Sequence, residues 1–145
     1  MIPENTVQLD LPARLEYLGV LNVVLGELLQ NQVDHLPDAD HIVYSVQLAA
    51  QEACTNIVRH AYQGDSGGRI RTSIALVEDP LRIMVRLVDT GQWFDIDSVP
   101  DPDLGNPQVH GYGLFLIRQI MDEVTYQRDG EGNVWHLVKY LQIEE

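Results

Sequence analysis

Glu52-Ala-Cys-Thr-Asn56-Ile-Val-Arg59-His60 is the stretch on which the reading of this chain turns. Glu52 and Asn56 stand four residues apart, so a helix puts both side chains on one face. Val43, Val46, Ala50, Ala53, Ile57 and Ala61 recur at helical spacing on the other side. They predict a helix over 38 to about 62 with one apolar flank and one acid–amide pair. Pro37, Asp38 and Asp40 supply its start, because proline suits a first turn and carboxylates suit the positive dipole end. The run from Gly64 to Gly68 stops it. Cys54 lies among the apolar positions and reads as a small buried hydrophobe rather than a reactive thiol.

Outward from this helix the periodicity alternates between helix and strand. Residues 7–11 form a short strand. Residues 13–31 carry Leu15, Leu18, Leu21, Leu25, Leu28 and Leu29 on one helical face. Two strands follow, over 69–77 and 81–88, joined by the turn Glu78-Asp-Pro80. Residues 92–110 hold Pro100, Pro102 and Pro107 with little periodicity and form a long loop, which in a compact domain is a functional feature more often than filler. A helix over 113–123 and strands over 124–128 and 134–142 complete the chain, the last two flanking Asp129-Gly-Glu-Gly132. Helices and strands come in runs, which predicts an α+β two-layer sandwich. A length of 145 residues suits a single domain over 1–145.

Charge narrows the function. Nine Lys and Arg face 22 Asp and Glu, a formal net charge of −13, which repels nucleic acid and anionic lipid. No basic-then-apolar leader and no apolar run near the ~18 residues of a membrane span is present. A single cysteine suits a reducing compartment, so a cytoplasmic place is expected.

Three segments carry chemistry. Glu52 with Asn56 suits a general base beside a ligand for a hard cation, although such a pair in isolation is more commonly a solvated polar stripe. Asp89-Thr-Gly91-Gln-Trp93 ends an apolar strand. There a carboxylate can bond an amino group while glycine admits a flat ring, or the segment is an ordinary strand-to-loop turn. His110-Gly111-Tyr-Gly113-Leu114 opens a helix whose free N–H groups favour phosphate, or marks only a glycine-permitted junction. His60 reads as a hydrogen-bonded helix-end residue rather than a metal ligand, and Trp135 and Phe115 as core.

Taken in order and spacing, these segments resemble the N, G1 and G2 boxes of the GHKL (Bergerat-fold) ATPase superfamily. The flow from Leu11-Pro-Ala-Arg14 through Glu52–Tyr62 and Leu116–Val124 to Asn133–Lys139 is similar to its anti-sigma-factor serine kinase branch. The resemblance implies a histidine-kinase-like ATPase fold, a mixed sheet covered on one face by about three helices. It implies ATP and Mg²⁺ as cofactors, with Asn56 holding the metal and Glu52 accepting the proton of a partner hydroxyl. Arg59 would stand near the phosphates, Asp89 and Gly91 at adenine, Gly111, Gly113 and Leu114 at the phosphate end, and 92–110 would be the ATP lid. The implied activity is phosphorylation of a Ser or Thr on a small STAS-type anti-sigma antagonist, with sequestration of a sigma factor or similar regulator. Relatives also suggest a homodimer, for which the leucine-rich first helix is a candidate contact. Two departures stand out: Trp93 occupies a glycine position of the G1 box, and no Lys or Arg occurs between Arg86 and Arg118. They keep an alternative open, a nucleotide-gated or nucleotide-independent partner-binding module without kinase activity.

Overall fold

The computed structural model describes residues 5–63, 65, 67–93 and 112–141. Strands β1 (Thr6–Pro12), β2 (Arg69–Val77), β3 (Arg82–Asp89), β4 (Glu123–Asp129) and β5 (Gly132–Tyr140) form one sheet in the order β1-β2-β3-β5-β4. Helices α1 (Leu18–Val33), α2 (Ala39–Asn56) and α3 (Tyr112–Ile120) complete the α+β fold. A short 3₁₀ turn, Leu15–Tyr17, precedes α1.

Among the described residues every strand pairing is antiparallel, so the expected mixed sheet is corrected. The reason is the β4–β5 hairpin. β4 runs in the same sense as β3, but the returning β5 inserts between them and separates the two parallel strands.

Alternation along the strands sends Ile70, Ile74, Ile83, Val85, Leu87, Trp135 and Leu137 into the core. On α1, the buried residues Leu18, Leu21, Leu25, Leu29 and Val33 repeat at three and four, a stripe that follows the helical period. Each fully buried leucine there contributes about 1.5–3 kcal/mol relative to exposure. α2 turns smaller groups inward: Val43, Val46, Ala49, Ala50, Ala53 and Cys54. With little bulk between them, the α2 backbone and the sheet lie close together.

Predicted boundaries shift in several places: β5 runs two residues early, at Gly132–Tyr140 against the expected 134–142, and three other differences have a clear local cause. Leu15 precedes α1 and is exposed, because the chain leaves β1 through the 3₁₀ turn before the helical stripe begins. α3 ends at Ile120 rather than 123. The Asp122 N–H donates to the Val138 carbonyl at 2.9 Å and its carboxylate accepts from the Tyr140 N–H at 2.7 Å, drawing the chain into β4. Lys139 Nζ closes the helix end on the Ile120 carbonyl at 2.8 Å, a cation where the dipole favours one. The third difference lies at the end of α2, where Ile57–Ala61 widens into a π turn. Among the described residues no helix is long and apolar enough to cross a membrane.

Candidate functional site

The polar residues singled out in the sequence gather where the end of α2, the end of β3 and the start of α3 approach one another. A Cβ added to Gly113 would stand 2.8 Å from Glu52 Oε2 and 3.8 Å from Asn56 Nδ2. The helix opened by Gly113 therefore begins against the acid–amide pair, and glycine alone leaves room for the carboxylate there. Both Glu52 and Asn56 are half-buried, and neither side chain hydrogen-bonds to a described residue. Leu114 next to Gly113 is buried and anchors that end of α3.

The π turn widens the backbone just after Asn56. It carries the exposed Arg59 and His60 outward while keeping Ile57, Val58 and Ala61 in the core. Such turns inside α-helices recur at functional sites because they re-aim side chains. Its last carbonyl, on Ala61, accepts the Gln92 N–H at 2.7 Å. A Cβ on Gly91 would fall 2.4 Å from that same oxygen, so no other residue fits between. Tyr62 adds a second tie: its hydroxyl accepts the Thr90 N–H at 2.9 Å and donates to the Arg69 carbonyl at 2.7 Å. Gln63 Nε2 adds a third, to Gln92 Oε1 at 2.8 Å. The segment after β3 is thus held onto the end of α2.

Asp89 is the buried centre of this cluster, 1% exposed. Its Oδ1 accepts the Gly91 N–H at 2.9 Å and the Asn133 amide at 2.8 Å. The same amide donates to the Gly91 carbonyl at 2.9 Å. Asp89 Oδ2 is buried and has no partner among the described residues. Burial pushes the carboxyl of Asp89 above its ordinary value, while the Asn133 and Gly91 donors and the charge of Arg128 oppose the rise. An unpartnered buried acceptor costs free energy, and a ligand N–H arriving there relieves it.

Asn133 and Tyr62 carry no distinctive signal in the sequence. Asn133 follows the Asp129–Gly132 turn and resembles any loop-exit asparagine. Only its register opposite Asp89 makes it part of the site. Trp93 stacks on Tyr126, ring centroids 6.4 Å apart and planes 12° apart, and Tyr126 packs in turn on the buried Trp135. Trp135 fills the core as expected, whereas Phe115 is only half-buried. Cys54 is buried, its thiol pushed up to about 12 by loss of solvation, as an inert core residue requires. Gly111, His110 and most of the proposed lid lie outside the described residues.

A one-faced α+β sandwich with this connectivity defines a class, the two-layer ATP-binding domain. Residues 11–139 match the histidine kinase-like ATPase domain, and the chain belongs to that family. It is 34% identical to a serine-protein kinase RsbW of Halalkalibacterium halodurans, over 97% of this chain and 86% of the relative. It is 32% identical to a serine-protein kinase RsbW of Bacillus cereus (strain B4264), over 96% of this chain and 87% of that protein. A histidine kinase domain from Erythrobacter litoralis EL346 blue-light activated histidine kinase shares the fold, with a TM-score of 0.54 and 16% identity. That match covers 90% of this chain and 61% of the other.

Proposed function

We propose that this chain is an ATP-dependent protein serine/threonine kinase that phosphorylates a small STAS-type anti-sigma antagonist and sequesters a sigma factor or similar regulator. The observation that carries the reading is the meeting of Glu52 and Asn56 on α2 with Gly113, with the buried, half-satisfied Asp89 tied through Gly91 to the turn that ends the same helix. Near-full-length similarity to serine-protein kinases supports the choice of reaction.

Asp89 Oδ2 accepts the amino group of adenine, and Gly91 leaves space for the ring. The start of α3, at Gly113 and Leu114, and the preceding Gly111 offer backbone N–H groups to the phosphates, with Arg59 as a cation on the facing turn. Mg²⁺ suits the donor set, since the carboxamide of Asn56 is uncommitted and lies beside a carboxylate. When bound it neutralises phosphate charge. Glu52 accepts the proton of the partner's hydroxyl as that oxygen bonds to the γ-phosphorus. The bond from the γ-phosphorus to the β,γ-bridging oxygen breaks, and ADP leaves. Such transfer needs positioning and charge neutralisation more than covalent chemistry from the protein.

The net charge of −13 also gives a mechanism for release. A phosphorylated partner gains about −1.5 to −2 charges at neutral pH and is repelled by this acidic surface. A cytoplasmic place and a homodimer belong to the same proposal. The exposed Val20 and Val23 of α1 support the dimer.

The test is phosphate transfer from labelled ATP, in Mg²⁺, to the purified antagonist. Wild type should label it. Glu52→Gln should reduce labelling at least about a hundredfold, the lower end of general-base effects, while ADP affinity stays within a few fold. Equal labelling by Glu52→Gln would sink the assignment of the base. ADP and ATP binding with no labelling of any antagonist would instead favour a nucleotide-gated binding module, a reading supported by the indole of Trp93 at a glycine position.

A further inference from the structure

We infer that Trp93 is a base-stacking residue of the nucleotide site, an aromatic platform that holds the ring whose amino group Asp89 selects. The inference rests on the nucleotide-binding reading above and adds a residue and a recognition mode to it.

The position of the indole is set by the frame before it. Thr90 is tied to Tyr62, Gly91 is wedged between the Ala61 carbonyl and the Asn133 amide, and Gln92 is bonded through both backbone and side chain. Trp93 is the next residue along and takes its direction from these fixed points. Its ring then lies nearly parallel to Tyr126 of β4. At a centroid separation of 6.4 Å the two rings do not fully cover each other, and Trp93 stays 40% exposed.

Position relative to Asp89 gives this exposure a use. Asp89 is paired across the sheet with Asn133, and Leu87, two residues earlier, with Trp135. Tyr126 is paired with Trp135 on the far side of β5. Alternation puts Asp89, Asn133, Trp135 and Tyr126 on the helix-covered face of the sheet. A row of rings, Trp135, Tyr126 and Trp93, thus leads from the core to the rim of the face that carries the orphaned Asp89 oxygen. A purine donating its amino group to Asp89 presents its flat face to this rim, and a half-exposed indole braced from behind is a ready stacking surface. In a lid segment without Lys or Arg, stacking supplies affinity that charge does not.

Stacking and amino-group recognition separate experimentally. Full-length wild type and the variants Trp93→Gly and Trp93→Phe would be titrated with Mg-ADP, Mg-IDP and Mg-tripolyphosphate by calorimetry, with thermal melts as the control for folding. Trp93→Gly should weaken ADP and IDP alike by about tenfold or more, and Trp93→Phe should stay within about threefold of wild type. Tripolyphosphate, which has no base, should bind wild type and Trp93→Gly equally. Trp93 and Trp135 are the only tryptophans, so ADP should change the fluorescence of Trp135→Phe and leave that of Trp93→Phe unaltered. If wild type bound no ADP, the nucleotide-site reading itself would fall and this inference with it. If wild type bound ADP while Trp93→Gly bound it equally or more tightly, only the stacking role would fall. A parallel loss of ADP and tripolyphosphate affinity would reduce Trp93 to a packing residue and overturn the inference as well.

Discussion

The side-chain amide of Asn133 donates to Oδ1 of Asp89 at 2.8 Å, in the core, and leaves Oδ2 of the same carboxylate unpartnered. With the Gly91 N–H on the same oxygen, this bond commits Oδ1 and leaves Oδ2 as the acceptor for an incoming donor. Since the amide also holds the Gly91 carbonyl, one residue of β5 sets both the acid and the glycine of the neighbouring strand end. Asn133→Ala should cost about 2–3 kcal/mol in urea unfolding at neutral pH, because a buried carboxylate loses a donor. Retention of full stability would show that Arg128 or water replaces the amide.

Asp89→Asn should separate stability from binding. The folded state raises the pKa of Asp89, so the native chain keeps its proton to higher pH than the unfolded chain does. Its contribution is therefore full below the usual carboxylate range and is lost as pH rises through the raised value. The neutral variant escapes that loss. Its stability relative to wild type should grow as pH rises above about 4, the ordinary aspartate pKa, while ADP binding disappears. A stability difference that is flat with pH would contradict the raised pKa.

The two glycines should fail differently. An alanine at Gly113 meets the end of a flexible side chain, Glu52 Oε2, whereas one at Gly91 meets a backbone carbonyl. Gly113→Ala should keep its melting temperature yet lose about a hundredfold in transfer rate through misplacement of Glu52. Gly91→Ala should lose about 1–3 kcal/mol of stability, as overpacked sites do. Comparing melts with transfer rates checks both, and an inversion of the two patterns would refute the assignment.

Cys54 should resist thiol reagents in the native protein at pH 8, since its thiol is raised to about 12 and fully buried. Reaction with an aromatic disulfide should wait for unfolding and follow the urea transition. Rapid native labelling would mean that α2 opens locally.

What the sequence determined by itself was everything carried by local spacing. The three-and-four repeat of α1, the Glu52–Asn56 pair and the alternation of β2 follow from helical and strand periods acting over a few residues. Glycine at 91 and 113 was legible as a demand for space, because no other residue lacks a Cβ. The neighbours that fill that space were decided by the tertiary structure alone. Asp89 meets Asn133 across 44 positions, Gly91 passes beneath Ala61, and Trp93 lies on Tyr126 because β5 inserts between β3 and β4. Strand order and register arise when a hydrophobic face is buried cooperatively by distant segments, a condition no short window contains.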